Sequence, residues 1–140
     1  MTTKVKARIM MAKFGLDGHS NGIRIVTKWL QDAGFEVIYM GLYNTPERII
    51  KAVQEEDVDI IGCSFLEGAH LFYAKKLVVL AAKNRLDKVK FVIGGVIPPD
   101  DIDRLKELGI KEVYTPGTPR DVIIAGLQAL VEKDAIGTGK

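Results

Sequence analysis

Short apolar runs alternate five times with stretches of helical periodicity along this chain. After the first run, Ile23, Val26 and Leu30 fall on one face of an amphipathic helix. The run at residues 58–64 is almost continuously apolar after Asp59, which is typical of a strand that is covered on both faces. The pattern predicts strands at residues 7–12, 36–40, 58–64, 90–93 and 112–115, and helices at residues 21–33, from 45 onward, at 68–84, up to 108 and at 118–133.

Strands that alternate with helices in this way form βαβ units and a parallel sheet. Right-handed crossovers leave few arrangements, and the flavodoxin-like order 2-1-3-4-5, with helices on both faces, fits best. In that order the carboxyl ends of strands 1 and 3 flank the switch point, where open α/β sheets bind ligands. We therefore predict an α/β, flavodoxin-like (Rossmann-like) fold and a single domain over residues 1–140, with an ordered core at about residues 5–133.

The composition excludes several classes of partner. Twenty Lys and Arg against 18 Asp and Glu leave a formal charge of +2, with no basic run that would indicate nucleic acid. No apolar stretch approaches the roughly 20 residues of a membrane span, or the about 7–15 of a secretory signal. The single cysteine forms no internal disulfide, which suits a reducing compartment. We expect a soluble cytoplasmic protein that binds neither nucleic acid nor membrane.

Three predicted loops carry the candidate chemistry at the carboxyl ends of strands 1, 3 and 4. They are residues 17–22, which contain a histidine, residues 64–68, which begin with a serine, and the pair Gly94-Gly95. Each also has a plain structural interpretation, as a turn with a helix cap, as a capping serine and as a tight turn. Together they line one crevice with glycines, a hydroxyl and an imidazole, which suits a bulky ligand that approaches the backbone closely.

The histidine of the first loop, His19, is a candidate metal ligand. Asp17, two residues earlier, can accept one ring N–H, fix the tautomer and raise the basicity of the other nitrogen. Lys13 lies four residues before Asp17 and can pair with it. One histidine is too few for zinc, whose sites need three or four protein ligands. The pattern therefore indicates a metal that is already held by a macrocycle.

At this point the sequence resembles a known family. The matching motifs are Asp17-x-His19-x-x-Gly22, then Ser64-x-Leu66, then Gly94-Gly95. In this order they resemble the cobalamin-binding signature of base-off/His-on B12 proteins. The longer string Lys13-x-Gly15-x-Asp17-Gly18-His19 is similar to the B12-binding domain of acyl-CoA mutases such as methylmalonyl-CoA mutase. One departure is Ser20-Asn21, where many mutases carry a charged pair.

The resemblance implies a role for each matching residue. His19 would replace dimethylbenzimidazole as the lower axial ligand of cobalt, and Asp17 and Lys13 would tune it. The displaced nucleotide tail would enter a slot between the sheet and the first helix. The residues implied to hold the cofactor are Asp17, Gly18, His19, Gly22, Ser64, Leu66, Gly94, Gly95, Tyr114 and Thr118, with Gly117 beside them.

The implied cofactor is adenosylcobalamin, and the implied activity is an isomerase reaction: the radical rearrangement of an acyl-CoA such as methylmalonyl-CoA, isobutyryl-CoA or 2-hydroxyisobutyryl-CoA. In this family the acyl-CoA sits in a (β/α)8 barrel, which needs around 250 residues. We therefore expect the small, cobalamin-carrying subunit of a two-chain mutase that is inactive without its barrel subunit. A G-protein chaperone is a further implied partner.

Other interpretations remain open at this point. A corrinoid carrier for methyl transfer is the first alternative, although such carriers usually have a helical module ahead of the B12 domain. A response-regulator domain would need a phospho-acceptor aspartate where Cys63-Ser64 stands, and a flavodoxin would need a Ser/Thr-rich phosphate loop after strand 1. The sequence leaves His70 either as a contact to the ligand or a partner, or as a packing histidine.

Overall fold

The core of the fold is a parallel sheet with the strand order β2-β1-β3-β4-β5. The structure, a computed structural model, describes residues 7–138, with side chains described through residue 132. The strands are β1 (Arg8–Phe14), β2 (Glu36–Asn44), β3 (Ile60–Phe65), β4 (Lys90–Gly95) and β5 (Ile110–Tyr114). The helices are α1 (Asn21–Asp32), α2 (Pro46–Glu56), α3 (His70–Lys83), α4 (Pro99–Leu108) and α5 (Arg120–Thr138). The predicted fold class and strand order are confirmed.

Both faces of the sheet are covered, as the apolar runs predicted. Side chains alternate between the faces along a strand, so Ile9 and Met11 of β1 pack with α1 and α5, while Met10 and Ala12 pack with α2, α3 and α4. No helix in the described part of the chain is long and apolar enough to cross a membrane.

Two strands run further than the sequence pattern predicted. β1 continues through Lys13 and Phe14, so Lys13 belongs to a strand and not to the following loop. β4 continues through Gly94 and Gly95, which pair with Ser64 and Phe65 of β3 instead of ending the strand. Two consecutive glycines are a typical signal for the end of a strand. Here the partner strand β3 supplies the hydrogen bonds that keep Gly94 and Gly95 within β4.

Helix starts are predicted well at α2 and less well at α3 and α5. Thr45 caps α2 by accepting a hydrogen bond from the Arg48 N–H at 3.2 Å. The interpretation of Ser64 as a cap for α3 is wrong, because that helix begins at His70 and is preceded by Ala69. Helix α5 begins two residues after Thr118, whose hydroxyl donates to the Thr115 carbonyl at 2.6 Å.

The carboxyl end of β2 is irregular where it pairs with β1. Met11 pairs with Tyr39, Ala12 with Gly41 and Phe14 with Asn44. Between each of these pairs and the next, β2 contains one residue more than β1. Each step is a bulge, which bends the strand and redirects its side chains. These bulges lie beside the loop that leaves β1.

Candidate functional site

Lys13, Asp17 and His19 form a connected relay at the carboxyl end of β1. The Lys13 Nζ atom lies 2.9 Å from Asp17 Oδ2, and the His19 Nδ1 atom lies 2.9 Å from Asp17 Oδ1. Lys13 is fully buried, and it also donates to the carbonyl of Ser64 at 3.2 Å and to its hydroxyl at 3.3 Å. The relay that the spacing predicted is therefore present, and it ties β1 to the end of β3.

Asp17 is held by N–H groups from three residues. The backbone N–H groups of Leu66 and His19 donate to it, each at 3.0 Å, in addition to the side chains of Lys13 and His19. Burial raises the pKa of the Asp17 carboxyl, but these hydrogen bonds and the lysine outweigh it and bring the pKa well below its ordinary value. The carboxylate is therefore an anion across the physiological pH range.

The orientation of His19 leaves one ring nitrogen available. Because a carboxylate only accepts hydrogen bonds, the ring proton lies on Nδ1 and points at Asp17. The side chain is 58% exposed, and Nε2 has no hydrogen-bond partner among the described residues. An imidazole that donates one ring N–H to a carboxylate and leaves its other nitrogen available is the usual arrangement of a metal-binding histidine.

Glu67 completes a small acidic cluster, since one ligand atom each of Asp17, His19 and Glu67 lies within 4.8 Å of the others. Both oxygens of Asp17 already accept hydrogen bonds, one of them from the ammonium of Lys13. A bare divalent cation would have to compete with that ammonium ion. The arrangement suits a metal that brings its own ligands and takes a single imidazole nitrogen.

A cavity of about 330 Å³ opens between the sheet and helices α1 and α5. We call it the slot. Its walls are mostly apolar, with Ile25, Trp29 and Leu127 on the helices. Among its lining residues are the predicted ones: Gly22, Ser64, Leu66, Gly94, Gly95, Tyr114, Gly117 and Thr118. The structure thus brings predicted residues of β3, β4 and the end of β5 to one cavity. Gly22 joins them from the first turn of α1, whereas Asp17, Gly18 and His19 lie outside the lining of the slot.

The glycines that line the slot differ in whether the surrounding atoms leave room for a Cβ. A Cβ on Gly22 would meet no atom of the described residues within 4 Å outside its own helix backbone and chain neighbours, so the packing of α1 does not require glycine there. A Cβ on Gly94 would sit 3.6 Å from the Tyr114 carbonyl, an ordinary contact. A Cβ on Gly95 would lie 1.9 Å from the Phe65 carbonyl oxygen, and its φ is +133°. Gly95 is therefore required by the sheet itself.

Two buried polar groups of the slot differ in what they offer a ligand. The Tyr114 hydroxyl is buried with no hydrogen-bond partner in the described part of the chain. Burial and the nearby Glu112 carboxylate raise the pKa of Tyr114 to about 12, so it stays a neutral donor. Burial likewise raises the pKa of Cys63 to about 12, which makes this thiol unreactive. Tyr114 therefore lines the slot, while its unsatisfied hydroxyl lies buried against Gly126 of α5.

Sequence reasoning missed the contribution of β2. Asn44 is 2% exposed, and its side-chain amide donates to the Lys13 carbonyl at 2.9 Å and the Gly41 carbonyl at 3.0 Å. The N–H of Gly15 donates back to the Asn44 carbonyl at 3.2 Å. A glycine inside a strand pattern, here Gly41, is the signal that could have indicated a bulge at this place.

His70 lies outside this site. Its ring is 3% exposed, and its Nε2 atom lies 2.7 Å from an oxygen of Asp101 at the start of α4. Of the two interpretations that the sequence left open, the packing histidine is the one that the structure supports. It joins α3 to α4 on the opposite face of the sheet from the slot.

These features fit a cobalt corrinoid better than the other ligands considered. A single oriented imidazole suits a metal whose remaining positions are filled by a macrocycle. A mostly apolar slot that is lined by several glycines suits a long substituent with few polar atoms. At the end of β3, Cys63 and Ser64 offer no carboxylate for the phospho-acceptor role of a response regulator.

Comparison with known proteins agrees with this assignment. A family model described as the B12 binding domain matches residues 7–125. The chain is 39% identical to the small subunit of 2-hydroxyisobutanoyl-CoA mutase from Aquincola tertiaricarbonis, over 89% of this chain and 91% of that protein. It is 40% identical to the small subunit of pivalyl-CoA mutase from Xanthobacter autotrophicus, over 90% and 84% of the two chains.

Among solved structures, a cobalamin-binding protein from Desulfitobacterium hafniense superimposes with a TM-score of 0.77 at 23% identity, over 89% of this chain and 59% of that one. At this identity the likeness concerns the fold, which has the same architecture. The assignment to a family rests on the match of the family model and on the two mutase subunits. The chain belongs to the B12-binding domain family.

Proposed function

We propose that this chain is the small subunit of an adenosylcobalamin-dependent acyl-CoA mutase and binds the cofactor with His19 as the lower axial ligand of cobalt. One observation carries the proposal: the Nε2 atom of His19 has no partner among the described residues while Nδ1 lies 2.9 Å from Asp17, in the loop that leads into α1, and Gly22 in the first turn of that helix lines the slot. Both mutase small subunits described above align with nearly the whole chain, which supports the same conclusion.

Each residue of the site has a defined task in this proposal. His19 donates its Nε2 lone pair to the metal, and Asp17 fixes the tautomer and increases the electron density on that nitrogen. Lys13 keeps Asp17 ionised and anchors it to Ser64. The slot takes the nucleotide tail in its base-off form, with Gly22 and Gly94 leaving room. When bound, adenosylcobalamin supplies the radical that starts the rearrangement of the carbon skeleton.

The proposal includes a larger partner. The mutases named above have small subunits, and a small subunit implies a large one that holds the acyl-CoA. We assign that role to a (β/α)8-barrel subunit and add a G-protein chaperone as a second partner. The acyl groups that we propose are short and branched, as in 2-hydroxyisobutyryl-CoA, isobutyryl-CoA and methylmalonyl-CoA. A cytoplasmic location belongs to the same proposal and agrees with the single, buried cysteine, Cys63.

Cobalamin titration of the purified chain tests this function. Hydroxocobalamin is added while the absorbance spectrum is followed, for the wild type and for His19→Ala. We expect the wild type to bind and His19→Ala to bind at least about 10-fold more weakly, because the metal loses its protein ligand. Ser20→Ala is the matched control, since the neighbouring serine makes no side-chain capping bond. Equal affinity of all three proteins would contradict the proposal.

The subunit role has a separate test. The chain is assayed with candidate acyl-CoA substrates and adenosylcobalamin, first alone and then with the large subunit of its own mutase. We expect no isomerase activity from the chain alone, because the acyl-CoA site lies in the partner, and turnover after the partner is added. Turnover by the isolated chain would contradict the assignment as a small subunit.

A further inference from the structure

Tyr43, at the carboxyl end of β2, has an unusual backbone conformation. Its φ of 63° lies in the left-handed region, and Gly41 two residues earlier has a φ of 74°. Glycine adopts this region freely, whereas an aromatic residue is strained in it. Such strain persists only where the surroundings determine the backbone, and it is concentrated at functional sites.

The surroundings of Tyr43 do determine its backbone. The two bulges of β2 lie on either side of Gly41, and Asn44 binds the carbonyls of Lys13 and Gly41 from a buried position. The Gly15 N–H closes the connection by donating to the Asn44 carbonyl. The segment that carries Tyr43 is therefore fixed relative to the loop that carries His19.

The ring of Tyr43 gains little from the core in return for this strain. Tyr43 is 60% exposed, so much of this large residue lies in solvent. The Tyr43 hydroxyl oxygen lies 3.1 Å from the point that a Cβ on Gly18 would occupy, which places the phenol directly against the residue before His19. Tyr43 is also on the β2 side of β1, whereas the slot opens above β3, β4 and β5.

We propose that the exposed ring of Tyr43 is a cobalamin contact that packs against the corrin beside His19, on the side of the loop away from the slot. The inference rests on the proposed function and goes beyond it by naming a residue outside the relay and the slot. A macrocycle held by one metal–nitrogen bond can rotate about that bond. The tail in the slot restrains it on one side of His19, and a rigidly held aromatic ring on the other side restrains it further.

The substitution Tyr43→Gly separates this role from a structural one. Glycine adopts the left-handed backbone freely, so the free chain keeps or gains thermal stability when the strain is removed. The loss of the ring weakens hydroxocobalamin binding by about 10-fold, the size of one aromatic contact with its buried area. Tyr43→Asn is the second variant, because asparagine also tolerates this backbone region. It too should keep its thermal stability and bind hydroxocobalamin about 10-fold more weakly.

Tyr39→Ala is the matched control, because Tyr39 is a partly exposed tyrosine of the same strand that pairs with Met11 and lies further from the loop. We expect its hydroxocobalamin affinity to stay within about twofold of the wild type. EPR of bound cob(II)alamin shows in addition whether Tyr43→Gly retains ligation by a protein nitrogen, as expected if only the ring contact is lost.

The results distinguish this inference from the proposed function. If the wild type binds no cobalamin, or binds it without a protein nitrogen, both the function and the inference are overturned. If the wild type binds through His19 and Tyr43→Gly binds equally well, the inference alone is overturned. A large loss of thermal stability in both Tyr43 variants with unchanged affinity also overturns it, since the ring would then serve the fold.

Discussion

The ammonium of Lys13 lies 2.9 Å from the carboxylate of Asp17, although the Lys13 side chain is completely buried and only 8% of the Asp17 side chain is exposed. A buried lysine at the end of a central strand is costly unless it is paired. Here it is neutralised by Asp17 and also bonded to Ser64, so all its visible partners belong to the site. The ion pair therefore connects the stability of the sheet to the orientation of His19.

Replacing Lys13 by methionine tests this connection. Lys13→Met keeps the length of the side chain but removes the cation beside the buried Asp17 carboxylate, which keeps its hydrogen bonds from Leu66 and His19; the loss of one partner costs up to about 3–5 kcal/mol in comparable buried pairs. We expect a loss of that order in the free energy of unfolding, measured by urea denaturation. The double variant Lys13→Met/Asp17→Asn is the control and should regain part of the loss. A single variant as stable as the wild type would show that the pair contributes nothing.

The low pKa of Asp17 predicts how its contribution depends on pH. The pKa of Asp17 in the unfolded chain is about 4 and is lower in the folded chain. At pH values between these two pKa values the folded chain therefore binds fewer protons than the unfolded chain. The stabilisation by Asp17 is then complete above about pH 5 and is lost as the pH falls below about 4. The difference in free energy of unfolding between the wild type and Asp17→Asn should therefore be smaller at about pH 3 than at about pH 5. A difference that does not change between these pH values would show that the carboxylate is not stabilised by folding.

The two neighbouring glycines of β4 give contrasting predictions. Gly94→Leu would place a side chain in the slot without a backbone clash, so the free chain should fold while cobalamin affinity falls by at least about 10-fold. Gly95→Ala, in contrast, brings a Cβ onto the Phe65 carbonyl in a strained backbone and should lower the unfolding temperature strongly. Thermal unfolding and hydroxocobalamin titration of both variants check this. If Gly94→Leu bound cobalamin normally, the slot would not hold the nucleotide tail.

Much of the fold could be predicted because its signals are local. The alternation of apolar runs with helical periods indicated the layers of the fold and a helix from residue 45 onward, where α2 begins. The contact between Asp17 and His19 could also be predicted, because a carboxylate two residues from an imidazole can reach it within one loop.

The remaining features depend on contacts between distant segments. The left-handed conformation of Tyr43 follows from the register between β1 and β2, which a single strand pattern does not contain. The need for glycine at position 95 follows from a carbonyl on β3 that lies 30 residues away in sequence. Similarly, the role of Ser64 as a partner of Lys13 depends on the pairing of β1 with β3, which the local sequence does not contain.

EPR of cob(II)alamin bound to uniformly ¹⁵N-labelled chain tests the central claim most directly. The cofactor carries ¹⁴N, so a nitrogen ligand from the protein changes the superhyperfine splitting on labelling. The chain has two histidines, and His70 is buried against Asp101, so a protein nitrogen on cobalt points to His19. We predict ¹⁵N splitting in the wild type and its loss in His19→Ala. Splitting that stays characteristic of ¹⁴N in the labelled wild type would mean that the cofactor keeps its own base, and would contradict axial ligation by His19.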